Sequence, residues 1–284
     1  MLDFINRLTK RTSFQAPLDP IIIYQPGKVG SSTILASLKY SLHSGTNELP
    51  VYHAHHLNHL EMMEKDIKSK FPNPQRSLEK LATDKELRKR IDENRNQKWN
   101  VISLTREPVA RTISTVFEML DVIFPDWKPK YESGQLDLYE MQSTIIKRFV
   151  SGPGAGDWYD TQMKPVFDID VYGQPFPHQK GYEIYHGKNN SRLLLIRLED
   201  LDRVGQKVLG DFLNVKKFQL VHANVAEKKE YSDLYRDFKK IPLPASFLEK
   251  MYASRYARQF YTDEEINGFY QKWIGAQDLT PRKS

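Results

Sequence analysis
The stretch PIIIYQPGKVGSSTILASL, residues 20–38, limits what this chain can fold into more than any other. Ile21, Ile22 and Ile23 form a short β-branched run that reads as a buried strand. Gln25-Pro26-Gly27 breaks it, and a helical pattern opens near Ser31 and runs to His43. Strand, tight glycine-containing loop and helix N-terminus together make an anion cradle. The first amides of a helix lack partners within it and lie at the positive end of its dipole. Gly27 and Gly30 permit a close backbone approach and left-handed conformations. Lys28 adds a mobile positive charge, and Ser31, Ser32 and Thr33 add hydroxyl donors.

Spacing decides which cradle this is. A Walker A loop needs glycine, four residues, then Gly-Lys-Ser/Thr. Ending that motif at Gly27-Lys28 would put its first glycine at Ile22 and its Mg²⁺-binding hydroxyl at Val29. Both positions fail. Without that hydroxyl the case for a Mg-nucleotide hydrolase or kinase weakens, because the metal carries much of phosphoryl-transfer catalysis.

The 284 residues suit one α/β domain with insertions or two small ones. A net charge of +6 is compatible with an anionic ligand but is dispersed. With no long basic block and no nucleic-acid motif, a nucleic-acid partner is not expected. The absence of cysteine removes disulfides, thiolate catalysis and Cys-zinc sites. The N-terminal run lacks the apolar centre of a signal peptide, and nowhere do eighteen apolar residues run together. A cytoplasmic protein without a transmembrane segment is the expectation.

Along the chain, residues 1–19 read as a short basic lead-in and 20–284 as one domain. A second strand is expected at Val51–Ala54 and a charged helical insertion at about 57–98, with Leu78, Leu81, Leu87 and Ile91 as its apolar stripe. Asn100–Thr105 is apolar enough for a central parallel strand, followed by a helix over Val109–Leu120. Residues 121–190 mix loops with a helix at Leu138–Val150 and the glycine-rich run 151–157. Phe167–Tyr172 and Tyr182–His186 suggest a hairpin. Arg192–Leu198 reads as a further core strand, then a helix to Leu213 and a short strand at Phe218–Val221. The end is helical, over Pro244–Phe260 and Asp263–Trp273, with Thr262 as N-cap and Glu265 closing a capping box. Strands alternating with helices predict a three-layer α/β/α fold with a central, mostly parallel sheet.

Arg106 and Ser114 lie eight positions apart across a strand end and the Pro108 turn, so guanidinium and hydroxyl can converge on one phosphate. If the strands at 21–24 and 100–105 are close, this pair stands beside the first loop, since ligands bind at the carboxyl ends of parallel strands.

Gly-Lys-Val-Gly-Ser-Ser-Thr, Arg106 with Ser114, and Glu199-Asp200-Leu201 after a late strand occur in the order of the PAPS-dependent sulfotransferases, which this chain resembles over about half its length. The runs Asn96–Trp99 and REPVARTIS look like a bacterial branch named for capsular polysaccharide synthesis. The resemblance implies the donor 3′-phosphoadenosine 5′-phosphosulfate (PAPS), the product PAP, no metal, and a hydroxylated acceptor such as a carbohydrate. It implies that Gly27, Lys28, Val29, Gly30, Ser31, Ser32 and Thr33 hold the 5′-phosphosulfate and that Arg106 and Ser114 hold the 3′-phosphate. It also makes the late basic segment His222–Tyr231, with Asn224, Lys228 and Lys229, a candidate cover for the nucleotide; a solvated charged turn is the alternative.

Sulfuryl transfer to a hydroxyl needs a base for the acceptor proton and a cation for charge growing on the leaving phosphate. Lys28 suits the second role. His53 in the second strand and His55 just after it point to one face if the strand continues, and the Tyr-His-x-His pattern resembles uronyl 2-O-sulfotransferases. His55 is the first choice as base and His53 its rival, with His56 facing away. A histidine-rich surface loop, a zinc site in the cluster His53, His55, His56 and His59, and a glutamate base such as Glu118 are the alternatives. Trp158, Tyr159, Phe176 and His178 lie in Gly/Pro-rich loops and either stack on sugars or anchor those loops. Two other functions fit less well: an ATP-dependent P-loop kinase, for which Glu199 or Asp200 would have to hold Mg²⁺, and a non-catalytic nucleotide-binding protein of a polysaccharide assembly system.

Overall fold
The structure, a computed structural model, describes residues 19–42, 51–70, 73–150, 158–188, 190–223 and 229–275. The basic lead-in, the 151–157 run and Asn224 and Lys228 of the late basic segment lie outside them.

The five strands among the described residues are β1 (Ile21–Tyr24), β2 (Val51–Ala54), β3 (Trp99–Thr105), β4 (Tyr182–His186) and β5 (Ser191–Arg197). They form one sheet in the order β2-β1-β3-β5-β4, parallel throughout except for β4 on the edge. The helices are α1 (Ser31–Leu42), α2 (Leu60–Lys70), α3 (Gln75–Glu93), α4 (Pro108–Glu118), α5 (Leu120–Ile123), α6 (Trp127–Glu132), α7 (Leu138–Val150), α8 (Lys164–Phe167), α9 (Leu201–Leu213), α10 (Ser232–Phe238), α11 (Ala245–Tyr252), α12 (Arg255–Phe260) and α13 (Asp263–Ile274). The expected three-layer architecture is the one observed.

Strand periodicity builds the layers. Ile21 and Ile23, Ile102 and Leu104, Leu194 and Ile196 face one core with Ile34 and Leu38 of α1 and Leu209 and Phe212 of α9. Their neighbours Ile22, Tyr24, Val101, Leu193 and Leu195 face the other, with Leu87 and Ile91 of α3, Met163, Tyr256 and Phe260. A third core contains no strand: α4, α7, α10, α11 and α13 pack Phe117, Met141, Leu234, Phe247 and Trp273 together. The expected stripe of the 57–98 region is buried at Leu81, Leu87 and Ile91, and Leu78 is half-buried. Thr262 and Glu265 form the expected capping box of α13. Among the described residues no helix is long and apolar enough to cross a membrane.

Two expected strands are corrected. Phe167–Tyr172 does not pair with Tyr182–His186; β4 pairs antiparallel with β5 instead. Asp168, at φ 56°, ends α8, and the Asp170 carboxylate accepts the Tyr172 amide in a tight turn. The apolar residues that suggested a strand, Ile169 and Val171, are buried in the core without a ladder. Phe218–Val221 is not a strand either. It runs extended along α1, whose hydroxyls replace a partner strand. The amides of Gln219, Val221 and Ala223 donate to Ser41, Ser37 and Thr33 at 2.8, 2.8 and 3.4 Å. The geometry matches because four helical residues rise about 6 Å and two extended residues advance about 6.6 Å.

Sheet order positions the site. From β1 the chain passes to β2 on one side, then returns to β3 on the other. The carboxyl ends of β1 and β3 therefore flank the switch point, where open α/β sheets leave a crevice.

Candidate functional site
Gln25 ends β1 and is fully buried. Backbone pairing of β1 with β3 reaches Ile23 and Ile102; beyond it the Leu104 amide donates to Gln25 Oε1 at 3.1 Å. That side chain extends the ladder and fixes where the loop begins. Within the loop Lys28 adopts φ 65° and Gly30 φ 101°, and a Cβ on Gly30 would meet Leu198 Cδ1 at 2.8 Å. Val29 points inward and is fully buried in the α1/α9 core. It therefore anchors the loop and does not line the cavity beside it, unlike its sequence neighbours. Thr33 and Ile34 donate their amides to the Gly30 carbonyl, so α1 begins at the loop and directs its positive end toward the cavity.

Two arginines brace this loop. Arg106 Nη1 donates to the Lys28 carbonyl at 3.0 Å, and Arg111 Nε to the Gly27 carbonyl at 3.1 Å. Neither has a carboxylate within ion-pair distance among the described residues. The obvious partner of Arg106, the adjacent Glu107, is turned away. Its carboxylate accepts the Val109 and Ala110 amides, the Tyr252 hydroxyl and the Trp273 indole N–H, capping α4. Tyr256 holds the Arg106 backbone from both sides, accepting its amide at 3.0 Å and donating to its carbonyl at 2.9 Å.

Gly27, Lys28, Gly30, Ser31, Ser32, Thr33, His55, Arg106 and Ser114 all line one cavity of about 480 Å³. Nine residues singled out from sequence are thus brought together from three separate segments. Val29 and His53 are not on this wall. The Thr33 hydroxyl is engaged with Ala223.

The two candidate histidines behave differently. His55 lies just beyond β2 and donates Nδ1–H to the Gln25 carbonyl at 2.8 Å. That bond leaves Nε2 as the nitrogen with a free lone pair. Burial lowers its pKa below the ordinary histidine range, against the Gln25 hydrogen bond; the charges of Lys80, Arg111 and Lys28 add to the lowering. Burial therefore favours its neutral form. His53 packs edge-on against His55 with ring centroids 4.7 Å apart. Its Nε2 is buried without a partner, and burial followed by the neighbouring His55 pushes its pKa down to about 4. Only His55 reaches the cavity.

Sequence reasoning missed several residues here. Arg111 stands inside the REPVARTIS run and carried no spacing signal of its own. Leu198, Ala223, Tyr231 and Tyr235 line the cavity from segments remote in sequence. Two residues that the sequence did single out also line it: Lys229 of the late basic segment, and Glu118, the alternative base, whose carboxylate is 3.0 Å from Lys28 Nζ. Desolvation would raise the Glu118 pKa, but the Lys28 hydrogen bond and charge, the Lys229 charge and the Tyr231 hydroxyl outweigh it and lower it. The aromatics take their core reading. Trp158, Tyr159 and Phe176 are buried against Phe260 and its neighbours, and His178 Nε2 hydrogen-bonds the Gln259 carbonyl.

The carboxylates at the end of β5 are committed to the protein. Glu199 accepts the Glu107 amide at 2.8 Å and the Tyr261 hydroxyl at 2.9 Å, tying the Arg106 turn to β5. Asp200 accepts Arg197 and Arg203, and Arg197 is also bound by Glu265.

Residues 138–262 match a family model described as "Putative capsular polysaccharide synthesis protein". The match begins beyond both runs that carried the expected resemblance to such proteins, Asn96–Trp99 and REPVARTIS. It covers β4, β5, Glu199 and Lys229 but neither the loop nor Ser114, and it includes residues 138–190 of the mixed 121–190 region. No curated protein and no solved structure matches the chain.

Proposed function
We propose that this protein is a sulfotransferase that uses PAPS to sulfate a hydroxyl of a carbohydrate acceptor, within polysaccharide assembly. The observation that carries the reading is the convergence of the 27–33 loop, Arg106, Ser114 and His55 on one cavity at the sheet's switch point. The donor set suits a nucleotide with two separate phosphate ends. Lys28 and the N-terminus of α1 line the cavity together with the Ser114 hydroxyl and the Arg106 guanidinium, which lacks any carboxylate partner among the described residues. The polysaccharide context is supported by the family match over 138–262.

PAPS, when bound, supplies an electrophilic sulfur carried on the 5′-phosphate. His55 Nε2 takes the proton of the acceptor hydroxyl as that oxygen bonds to sulfur, and the S–O bond to the phosphate breaks with its electron pair on the phosphate oxygen. Lys28 and the loop amides offset that growing charge. Arg106 and Ser114 hold the 3′-phosphate and so set the donor's position. His55 is suited to its role by a tautomer fixed through Gln25 and by a lowered pKa that keeps it unprotonated.

A Mg²⁺-dependent kinase asks for a carboxylate at a strand end, and Glu199 and Asp200 already have protein partners on both oxygens. The deciding experiment is calorimetry with PAP in the absence of metal, beside ATP with Mg²⁺, on the wild type and Arg106→Ala. The expected result is PAP binding that is lost in the variant, with ATP weak. ATP–Mg²⁺ as the tighter ligand, or no effect of Arg106→Ala, overturns the reading.

A further inference from the structure
Among the described residues, one acidic side chain lines the cavity, and it occupies the cations. Glu118 ends α4 one turn beyond Ser114, so both project from the same face of that helix. Its Oε2 accepts from Lys28 Nζ at 3.0 Å and the Tyr231 hydroxyl at 3.2 Å, and Lys229 Nζ lies 3.6 Å away at ion-pair distance. Two donors and a second ammonium group, from two remote segments, converge on a single oxygen. A site of that composition would take a phosphate oxygen as readily as a carboxylate oxygen. Here the anion belongs to the protein.

We propose that Glu118 is an internal competitor for the phosphate pocket: its carboxylate holds Lys28 and Lys229 until a phosphate of the ligand displaces it, and it returns to expel the product. The inference rests on the nucleotide reading given above. Its physical basis is that Lys28 cannot satisfy Glu118 and a ligand phosphate equally. The ion pair is half-exposed, with Lys28 at 23% and Glu118 at 44%, so it is weak enough to exchange. The group that yields is on the rim, whereas the loop backbone behind Lys28 is anchored by Val29 and by Arg106. A competitor of this kind weakens ligand binding and speeds release, since changes within one interface act mainly on dissociation.

The test is the affinity of PAP, and separately of inorganic pyrophosphate, for the wild type, Glu118→Gln, Lys28→Ala and the double variant. Glu118→Gln keeps the size and the hydrogen-bonding capacity but loses the charge. PAP is expected to bind it roughly three- to tenfold more tightly, with a correspondingly slower dissociation rate. In the Lys28→Ala background the same substitution is expected to give a much smaller gain, because the contested cation is gone. Unchanged or weaker PAP binding by Glu118→Gln overturns the proposal and makes Glu118 an organiser of the cations. A gain undiminished in the Lys28→Ala background also overturns it, leaving only a general charge effect. If the wild type binds pyrophosphate but not PAP, the nucleotide reading fails. The competition then stands or falls on whether Glu118→Gln tightens pyrophosphate. If no variant binds either ligand, both fail.

Discussion
The cavity has two walls, and they are built by different means. One is the 25–33 loop with Arg106 and His55, set on the carboxyl ends of parallel strands. Its side chains are fixed by backbone contacts: Gln25 to Leu104, His55 to Gln25, Arg106 to Lys28. The other is Glu118 of α4, Tyr235 of α10, and Lys229 and Tyr231 in the turn before α10, beside a helical core that contains no strand. Here Phe117 packs against Tyr231, Tyr235 and Phe238 with ring centroids 4.8–5.6 Å apart, and the polar contacts at the rim are side chain to side chain. Backbone contacts hold a fixed geometry, while paired side chains on flexible stems can change partners. The first wall is suited to recognition and chemistry, the second to exchange.

The sharpest way to break that comparison is at His55. His55→Ala is expected to lower turnover about 100- to 10,000-fold while leaving PAP affinity within about twofold. His53→Ala, behind it, should cost far less turnover. Single-turnover sulfate transfer beside PAP calorimetry checks both. The sign of the pH dependence follows from the same residue. A base must be unprotonated, and burial holds His55 below the ordinary value of 6.5. The acid limb of the kcat/KM profile should therefore fall with a midpoint below pH 6.5, and a midpoint above 6.5 would count against His55 as the base.

Arg106 comes next. Removing a charge-assisted bond to phosphate, roughly 1.5–3 kcal/mol, predicts about 10- to 100-fold weaker PAP binding in Arg106→Ala. Arg106→Lys should recover little of it, because an ammonium cannot reproduce the fork that also holds the Lys28 carbonyl. Calorimetry on the pair decides.

Gly30→Ala tests the rigidity of the first wall through stability. Its φ of 101° and the 2.8 Å approach of Leu198 predict a loss of about 1–3 kcal/mol. Gly27→Ala is the control: no atom lies within 4 Å of the added carbon, and its φ is not in the left-handed range, so a much smaller loss is expected. Denaturant midpoints of the two variants measure the difference.

The smallest effect concerns the hydroxyls of α1. Ser37→Ala leaves the Val221 amide without its 2.8 Å acceptor and should cost about 1 kcal/mol. The same unfolding experiment reads it. A cost no larger than that of Ser41→Ala, at the exposed end of the run, would mean that the ladder contributes little.

What could be read in the chain is what depends on neighbours in sequence. The 21–24 strand, the loop, and the helix from Ser31 declare themselves by a β-branched run, glycine spacing and a helix start. The Thr262–Glu265 capping box is complete within four residues. Arg106 and Ser114 could be paired because eight positions span one strand end and two helical turns. His55 could be preferred over His53 only as a choice between close rivals, since β2 ends at Ala54 and the direction of the next side chain depends on its bond to Gln25.

By itself, then, the sequence determined the alternating elements, the glycine-containing loop and the residues that follow two strand ends, because each is set by local backbone chemistry. Only the tertiary structure decided that residues 218–221 pair with helix hydroxyls instead of a strand, and that Trp158, Tyr159 and Phe176 are core. It alone brought Glu118 and Tyr231 to Lys28 across 90 and more positions of chain. Those outcomes depend on which surfaces meet, and a strand-like or charged segment carries no mark of the partner that folding will bring to it.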